Sequence, residues 1–97
     1  MVENAAIVER LSKSLGVPPD ELVRRGIEEF LGAQLRSCFA EIYDLKARYG
    51  VKSAGELEEK IGKGVVVEHP GWEDLIVLEN LEERAEKIRK ELKALTS

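Results

Sequence analysis

The residue types that most often carry chemistry are scarce in this chain. It contains one histidine, His69, and one cysteine, Cys38, so a zinc site with the usual four ligands cannot be built from one chain without enlisting carboxylates. His69 precedes a proline in a connecting segment and no serine nucleophile motif lies nearby, so we interpret it as a residue at the start of a helix. Cys38 falls in an apolar stripe and is interpreted as a small core residue.

Two further patterns lack the partners that a binding site needs. Four glutamates cluster on one predicted helix, namely Glu79, Glu82, Glu83 and Glu86. The Glu-x-x-His pairs of di-iron bundles are missing, and basic residues three or four positions away indicate an ion-paired, solvated face. Gly62-Lys63-Gly64 is a short turn and not a phosphate-binding loop. We therefore expect no catalytic residue, no cofactor and no metal, and we predict that the protein is not an enzyme.

The composition indicates one folded domain, residues 1–97, with a modest core. Charged residues make up 35% of the chain, hydrophobic residues 43%, and the net charge is −4, which is typical of a helical protein rather than a disordered one. No apolar run could cross a membrane, no signal peptide is evident, and one cysteine fits a reducing compartment, so we expect a soluble cytoplasmic protein. The scarcity of Asn, Gln and Cys favours a thermophilic prokaryotic source.

Helix-ending and helix-starting signals divide the chain into four helices. Gly16 and Gly50 sit where a left-handed residue ends a helix, Pro19 and Pro70 suit a first helical turn, and Ser53 begins a capping-box pattern. The predicted helices cover residues 4–15, 19–49, 54–62 and 70–95. Between the third and the fourth, residues 65–67 are expected to form an extended connector.

The two long helices carry matching apolar stripes at steps of three and four residues, a spacing that keeps side chains on one helix face. The stripe of the second helix is Leu31, Leu35, Cys38, Ile42, Leu45 and Tyr49, and that of the fourth is Leu75, Leu78, Leu81, Ala85, Ile88, Leu92 and Leu95. Helices of roughly 45 and 36 Å can lie side by side over most of their length. We predict an all-α fold, a long antiparallel helical hairpin with two short helices, completed as a dimeric helical bundle.

A second face of the long second helix is the candidate dimer interface. Its residues repeat with the same helical period and are mostly small, namely Gly26, Phe30, Ala33, Ser37, Ala40 and Ala47. Small residues let another backbone come close, and a chain of this length gains stability from self-association, so we expect a homodimer. The alternative is that these are surface residues chosen for helix propensity.

A helix-turn-helix-like segment, residues 5–31, offers an alternative function. Arg24 and Arg25 lie near the start of its second helix, where such proteins contact DNA. Acidic residues flank both arginines and the overall charge is negative, so no continuous basic footprint exists. The alternative is a small dimeric DNA-associated transcriptional regulator that uses these two arginines.

Residues 7–31, with the sequence IVERLSKSLGVPPDELVRRGIEEFL, resemble the two-helix part of ribbon-helix-helix proteins, which are common among prokaryotic antitoxins. The shared pattern is a first helix that ends in Leu-Gly-Val, a turn, then Glu-Leu-Val-Arg-Arg and an apolar pair. In that family a basic strand before the first helix contacts the bases, whereas only residues 1–4 precede the helix here. The resemblance therefore implies the dimerising scaffold without the DNA-contacting strand.

The rest of the chain is similar to small archaeal helical proteins thought to be antitoxin-like halves of toxin–antitoxin pairs. The similar segments are Tyr49-Gly50-Val51-Lys52-Ser53 and Trp72-Glu73-Asp74-Leu75 before a Glu-rich helix. This resemblance implies a noncatalytic protein that binds and masks a toxin as a dimer. Val66 and Trp72 are the candidate partner-binding residues, because aromatic anchors dominate interface energetics. The alternative for Trp72 is that it holds the hairpin together.

Overall fold

Four helices joined by short turns make up the protein, as a computed structural model shows for residues 2–96. They are α1 (Val2–Leu15), α2 (Pro19–Tyr49), α3 (Ala54–Gly62) and α4 (Glu68–Thr96). No β-strand occurs among the described residues, and the predicted all-α fold is confirmed.

The helix boundaries follow the sequence signals closely. α2 and α3 have the predicted limits, while α1 and α4 each begin two residues earlier than predicted. His69 interrupts α4 because its φ of −119° and ψ of 120° are extended, so the continuous helix begins at Pro70, as the sequence predicts. Gly16 and Gly50 have left-handed φ values of 68° and 63°, which glycine adopts without the steric cost of a Cβ atom.

The segment between α3 and α4 differs from the expected extended connector. Gly64 has a left-handed φ of 74°, and the N–H groups of Val65 and Val66 both donate to the carbonyl of Lys60, at 2.9 and 3.2 Å. Both bonds fold the segment back onto the end of α3. They satisfy the Lys60 carbonyl, which the end of the helix would otherwise leave unpaired. The connector is therefore a compact turn rather than a straight strand.

Ser53 caps α3 as the sequence predicts. Its hydroxyl accepts a hydrogen bond from the Glu56 N–H at 3.1 Å, and the Glu56 carboxylate accepts one from the Lys52 N–H at 3.0 Å. This pairing satisfies donors that a helix start leaves open. Since α3 has only nine residues, too few for an isolated helix to be stable, it also depends on burying Leu57 and Ile61.

The core lies in the seam between α2 and α4, with α3 packed against α4 near its start. Seven of its ten buried residues belong to the two predicted stripes. The ten are Cys38, Ile42, Leu45, Val51, Leu57, Ile61, Leu75, Leu78, Ala85 and Ile88. The two helices run antiparallel, because Tyr49 at the end of α2 bonds Asp74 near the start of α4, whereas Arg84 lies further along α4 and donates to Gln34 at 3.2 Å. The predicted hairpin is present.

The N-terminal end of the molecule has no core of its own. Among residues 3–37, whose side chains are described, none is buried, although α1 packs against α2. The Ser12 hydroxyl donates to the Val17 carbonyl at 2.5 Å and ties the end of α1 to the turn before α2. The molecule measures 61 × 27 × 19 Å with a radius of gyration of 19.5 Å, well above the roughly 13 Å of a compact chain of this length. It is a rod.

Leu78 tests the seam between α2 and α4 because its side chain has 0% exposure. We expect Leu78→Ala to lower the free energy of unfolding by about 3 kcal/mol, since the lost atoms leave a cavity between the two helices. Urea unfolding followed by circular dichroism measures the change. Ile76→Ala is the control because Ile76 is 56% exposed on the same helix, and it should cost less than about 1 kcal/mol. Equal losses in both variants would contradict the seam.

Candidate interaction surfaces

The side chains that the structure describes form no cluster suited to metal binding. No group of three or more His, Cys, Asp or Glu side chains among them could hold a metal ion, and none of their polar or charged side chains is buried. The Cys38 thiol is free and buried. The groove between α2 and α4 is open and lined by surface groups such as Phe39, Lys46 and Glu86. Exposed surfaces are therefore the candidate functional features.

More large hydrophobic side chains are exposed than are buried in the described part of the chain. Thirteen are exposed, against the ten buried residues of the core. The exposed ones are Ile7, Leu11, Leu15, Val23, Ile27, Phe30, Phe39, Tyr43, Val65, Val67, Trp72, Ile76 and Val77. Single exposed apolar residues need no explanation, but groups of them mark interaction sites.

The predicted dimer-interface residues are all exposed, and they lie on the side of α2 that faces away from α4 except for Ser37, which borders a groove together with Leu81 and Arg84 of α4. We call this side the outer face of α2; the predicted residues are Gly26, Phe30, Ala33, Ser37, Ala40 and Ala47. Phe30 is 62% exposed, and Tyr43, which the sequence analysis left out, is 73% exposed beside them. A signal for Tyr43 existed, because it lies outside the apolar stripe that packs on α4 and is too large to be chosen for helix propensity alone.

A second group of exposed residues, the N-terminal apolar surface, lies where α1 meets the first half of α2. It consists of Ile7, Leu11 and Leu15 on α1 together with Val23 and Ile27 on α2, all between 36% and 63% exposed. On each helix these residues are four positions apart, so they share one helix face. In the single chain α1 and α2 cover this face only in part.

A third group surrounds the joint between α3 and α4, and it places the two predicted partner-binding residues differently. Val66 is partly buried and packs against the core, whereas Val65, Val67 and Ile76 are 70%, 73% and 56% exposed. Trp72 is 38% exposed. We call Val65, Val67, Trp72 and Ile76 the joint surface.

The orientation of Val66 depends on Gly71, which is buried in this joint. A Cβ atom at Gly71 would lie 3.2 Å from the Val66 side chain and 3.3 Å from that of Ile61, closer than ordinary van der Waals contact. The absence of a side chain at Gly71 therefore lets Val66 turn inward against α4. The sequence pattern does not predict this contact, because only the fold brings these residues together.

A polar cluster links the end of α2 to the start of α4, where α3 joins the two helices. The Tyr49 hydroxyl donates to Oδ2 of Asp74, and Arg48 Nη1 lies 3.5 Å from the same oxygen. Burial raises the pKa of Tyr49 above its usual value, and the hydrogen bond to Asp74 and the charge of that carboxylate raise it further. This cluster fastens α2 to α4, and Arg48 and Asp74 also line an open surface groove between the two helices.

Arg24 and Arg25, the residues of the DNA-binding alternative, are both exposed. Arg25 Nη2 lies 2.5 Å from Oε1 of Glu21, one turn earlier on α2, so a neighbouring carboxylate offsets its charge. Affinity for DNA rests mainly on basic groups that neutralise phosphates. The DNA-binding function stays a prediction, and nothing in the geometry of these two arginines adds to it.

Comparisons with known proteins give a family without a stated activity. A family model described as "Uncharacterized protein MJ0235 family" matches residues 1–97. No curated protein and no solved structure matches the chain. None of the described helices is both long enough and apolar enough to span a membrane.

The raised pKa of Tyr49 predicts a pH dependence of stability. The folded state favours the protonated phenol, so this contribution to the unfolding free energy is complete below the usual pKa of about 10 and is lost as the pH rises through the higher folded pKa. Near-ultraviolet titration in a Tyr43→Phe background should show Tyr49 ionising above its value in the urea-unfolded chain. Asp74→Asn removes the carboxylate charge, so the pKa of Tyr49 in the folded chain should move closer to its pKa in the unfolded chain. Equal midpoints in the folded and unfolded chains would contradict the cluster.

Proposed function

We propose that this chain, which belongs to the uncharacterized protein MJ0235 family, is a noncatalytic protein–protein interaction module. In this proposal it binds and masks a partner protein, as the antitoxin half of a prokaryotic toxin–antitoxin pair does. In this proposal the protein acts by binding through its surfaces and not through reactive groups.

The observation that carries the proposal is the amount of uncovered surface. The solvent-accessible area is 7237 Å², whereas the scaling law for folded monomers gives about 5,600 Å² at a mass of 10.9 kDa. The excess is therefore about 1,600 Å², and a standard protein–protein interface covers about 800 Å² on each partner. The rod has enough surplus surface for two such contacts, and thirteen large hydrophobic side chains already lie on it.

The joint surface is the part best suited to a different protein. Trp72 and the exposed valines Val65 and Val67 provide an aromatic and two aliphatic anchors within eight residues, and tryptophan is enriched among residues that dominate binding energy. The exposed charges near this segment are mostly negative, with Glu58, Glu59, Glu68 and Glu73 against Lys63. Lys63 is already paired with Glu59 at 2.7 Å. An apolar contact with an acidic rim fits a partner that has an apolar pocket and a basic rim.

His69 and Glu73 form a hydrogen-bonded pair in that rim. His69 Nδ1 lies 2.7 Å from Oε1 of Glu73, one turn apart on the exposed side of the joint. The hydrogen bond from His69 lowers the pKa of Glu73, so Glu73 carries its negative charge to more acidic pH than a free glutamate. His69 thus has a structural part in the proposed contact, in agreement with its interpretation as a residue at a helix start.

The test uses the product of the reading frame that adjoins this gene. We expect that product to arrest growth when expressed alone, to be relieved by coexpression of this chain, and to copurify with it. Trp72→Ala should weaken the complex roughly thirtyfold, because a central aromatic anchor is worth about 2 kcal/mol. Isothermal titration calorimetry measures the affinity, and Asn80→Ala on the exposed side of α4 is the matched control.

Two results would contradict the proposal. One is an adjoining product that neither arrests growth nor binds this chain. The other is a Trp72→Ala variant that binds as tightly as the Asn80→Ala control, which would remove the joint surface from the contact.

A further inference from the structure

The segment between α3 and α4 is held by backbone hydrogen bonds at both of its ends. The N–H groups of residues 63–66 all donate to carbonyls in the last turn of α3, at distances between 2.9 and 3.2 Å. At the other end, the Gly71 N–H donates to the Val67 carbonyl at 3.2 Å. Bonds at both ends leave a short segment few alternative conformations, so the joint surface has a defined shape before any partner arrives.

Lys60 also connects this segment to the end of α2. Its carbonyl accepts the Val65 and Val66 N–H groups, and its Nζ donates to the Gly50 carbonyl at 3.3 Å. Gly50 is the left-handed residue that ends α2. One residue of α3 therefore fastens the connector to the helix that forms half of the core.

Gly71 closes the joint on its inner side. It is buried, and a Cβ atom there would lie 3.2 Å from Cγ1 of Val66 and 3.3 Å from Cγ1 of Ile61. Its φ is not left-handed, so the backbone at this position does not itself require glycine. The structural reason for glycine here is the space that the Val66 and Ile61 side chains occupy.

We propose that Gly71 is a positioning residue for the partner contact at the joint surface. Because it leaves room for Val66 on the inner side, the two neighbouring valines stay on the outer side, where Val65 is 70% exposed and Val67 is 73% exposed. Trp72 follows Gly71 directly, so the close approach at Gly71 also sets the distance between the aromatic anchor and the valines. This inference rests on the proposed function and adds how the binding surface is kept in shape.

A fixed surface reduces the entropy lost on binding. A contact that must first order a loop loses affinity to that ordering, whereas a preorganised one does not. The partner therefore docks on Val65, Val67 and Trp72 without rearranging the connector. It needs an apolar pocket whose shape already matches the spacing of these three side chains.

Gly71→Val tests the positioning directly. The added side chain needs the space that Val66 occupies, so Val66 and its neighbours must move. We expect the affinity for the product of the adjoining reading frame to fall roughly tenfold or more, because displaced anchors no longer fit the partner's pocket. Isothermal titration calorimetry measures the change. Gly55→Val is the matched control and should bind as the wild type does, since Gly55 is exposed and a Cβ atom there would have the Ser53 hydroxyl oxygen as its nearest neighbour, at 3.9 Å.

A double variant separates positioning from general damage to the fold. In Gly71→Val/Val66→Ala the shortened side chain at position 66 makes room for the added one, so the connector can return to its place. We expect this variant to regain most of the lost affinity, while circular dichroism shows that all variants keep their helices. The proposal is overturned if Gly71→Val binds as tightly as Gly55→Val, or if the double variant binds no more tightly than Gly71→Val.

Amide hydrogen exchange gives a measurement that needs no partner. In the wild type the Val65 and Val66 N–H groups are bonded to Lys60, so nuclear magnetic resonance should show both exchanging more slowly than in the unfolded chain. Gly71→Val should speed exchange at both positions, the double variant should slow it again, and Gly55→Val should leave it unchanged. Unprotected Val65 and Val66 amides in the wild type would overturn the proposal.

Failure of this inference can be told apart from failure of the proposed function. A wild-type chain that binds no adjoining product contradicts the proposed function, and a positioning role in that contact falls with it even where exchange shows an ordered connector. A wild-type chain that binds the product, with Gly71→Val binding equally well, overturns only the role of Gly71.

Discussion

The lengthwise contact between α2 and α4 is the constraint on which the rest of the structure depends. Each helix exposes a narrow apolar stripe that must be covered, and the hairpin covers both stripes at once with residues such as Ile42 and Leu78. α3 exists as a helix because it docks on this pair, since nine residues do not hold helical structure alone. The Tyr49–Asp74 bond then fixes the two helices at the end where α3 lies.

Stability is distributed unevenly along the rod as a result. Every fully buried residue that the structure describes lies at or after Cys38, whereas α1 and the first half of α2 have only partial cover. Regions with few buried contacts open more readily than a core does. The end of the molecule that has least support of its own is also the end where the N-terminal apolar surface and much of the outer face of α2 lie, so association there would add stability as well as a contact.

None of the polar or charged side chains that the structure describes is buried. The exposed hydrophobic residues include three groups, namely the outer face of α2, the N-terminal apolar surface and the joint surface. The outer face of α2 combines small residues with two aromatic rings, a pattern suited to close helix pairing. The joint surface combines Trp72 and exposed valines with an acidic rim, a pattern suited to a different, basic protein. The MJ0235 family model matches residues 1–97, so it includes all of these surfaces.

The sequence by itself determined the four helices, their limits and the two facing stripes, because capping, glycine ends and apolar periodicity act over a few neighbouring residues. Ser53, Gly50 and Pro70 were sufficient to place helix ends to within about two residues. Only the tertiary structure decided which apolar residues stay exposed and which distant residues make contact. Val66 turns inward because Gly71 has no side chain; a Cβ atom there would lie only 3.2 Å from the Val66 side chain. Val65 and Val67 stay exposed. Tyr49 contacts Asp74, although the two residues are twenty-five positions apart in the sequence. Such contacts depend on how the helices cross, and the local pattern of a helix contains no information about what lies on the neighbouring one.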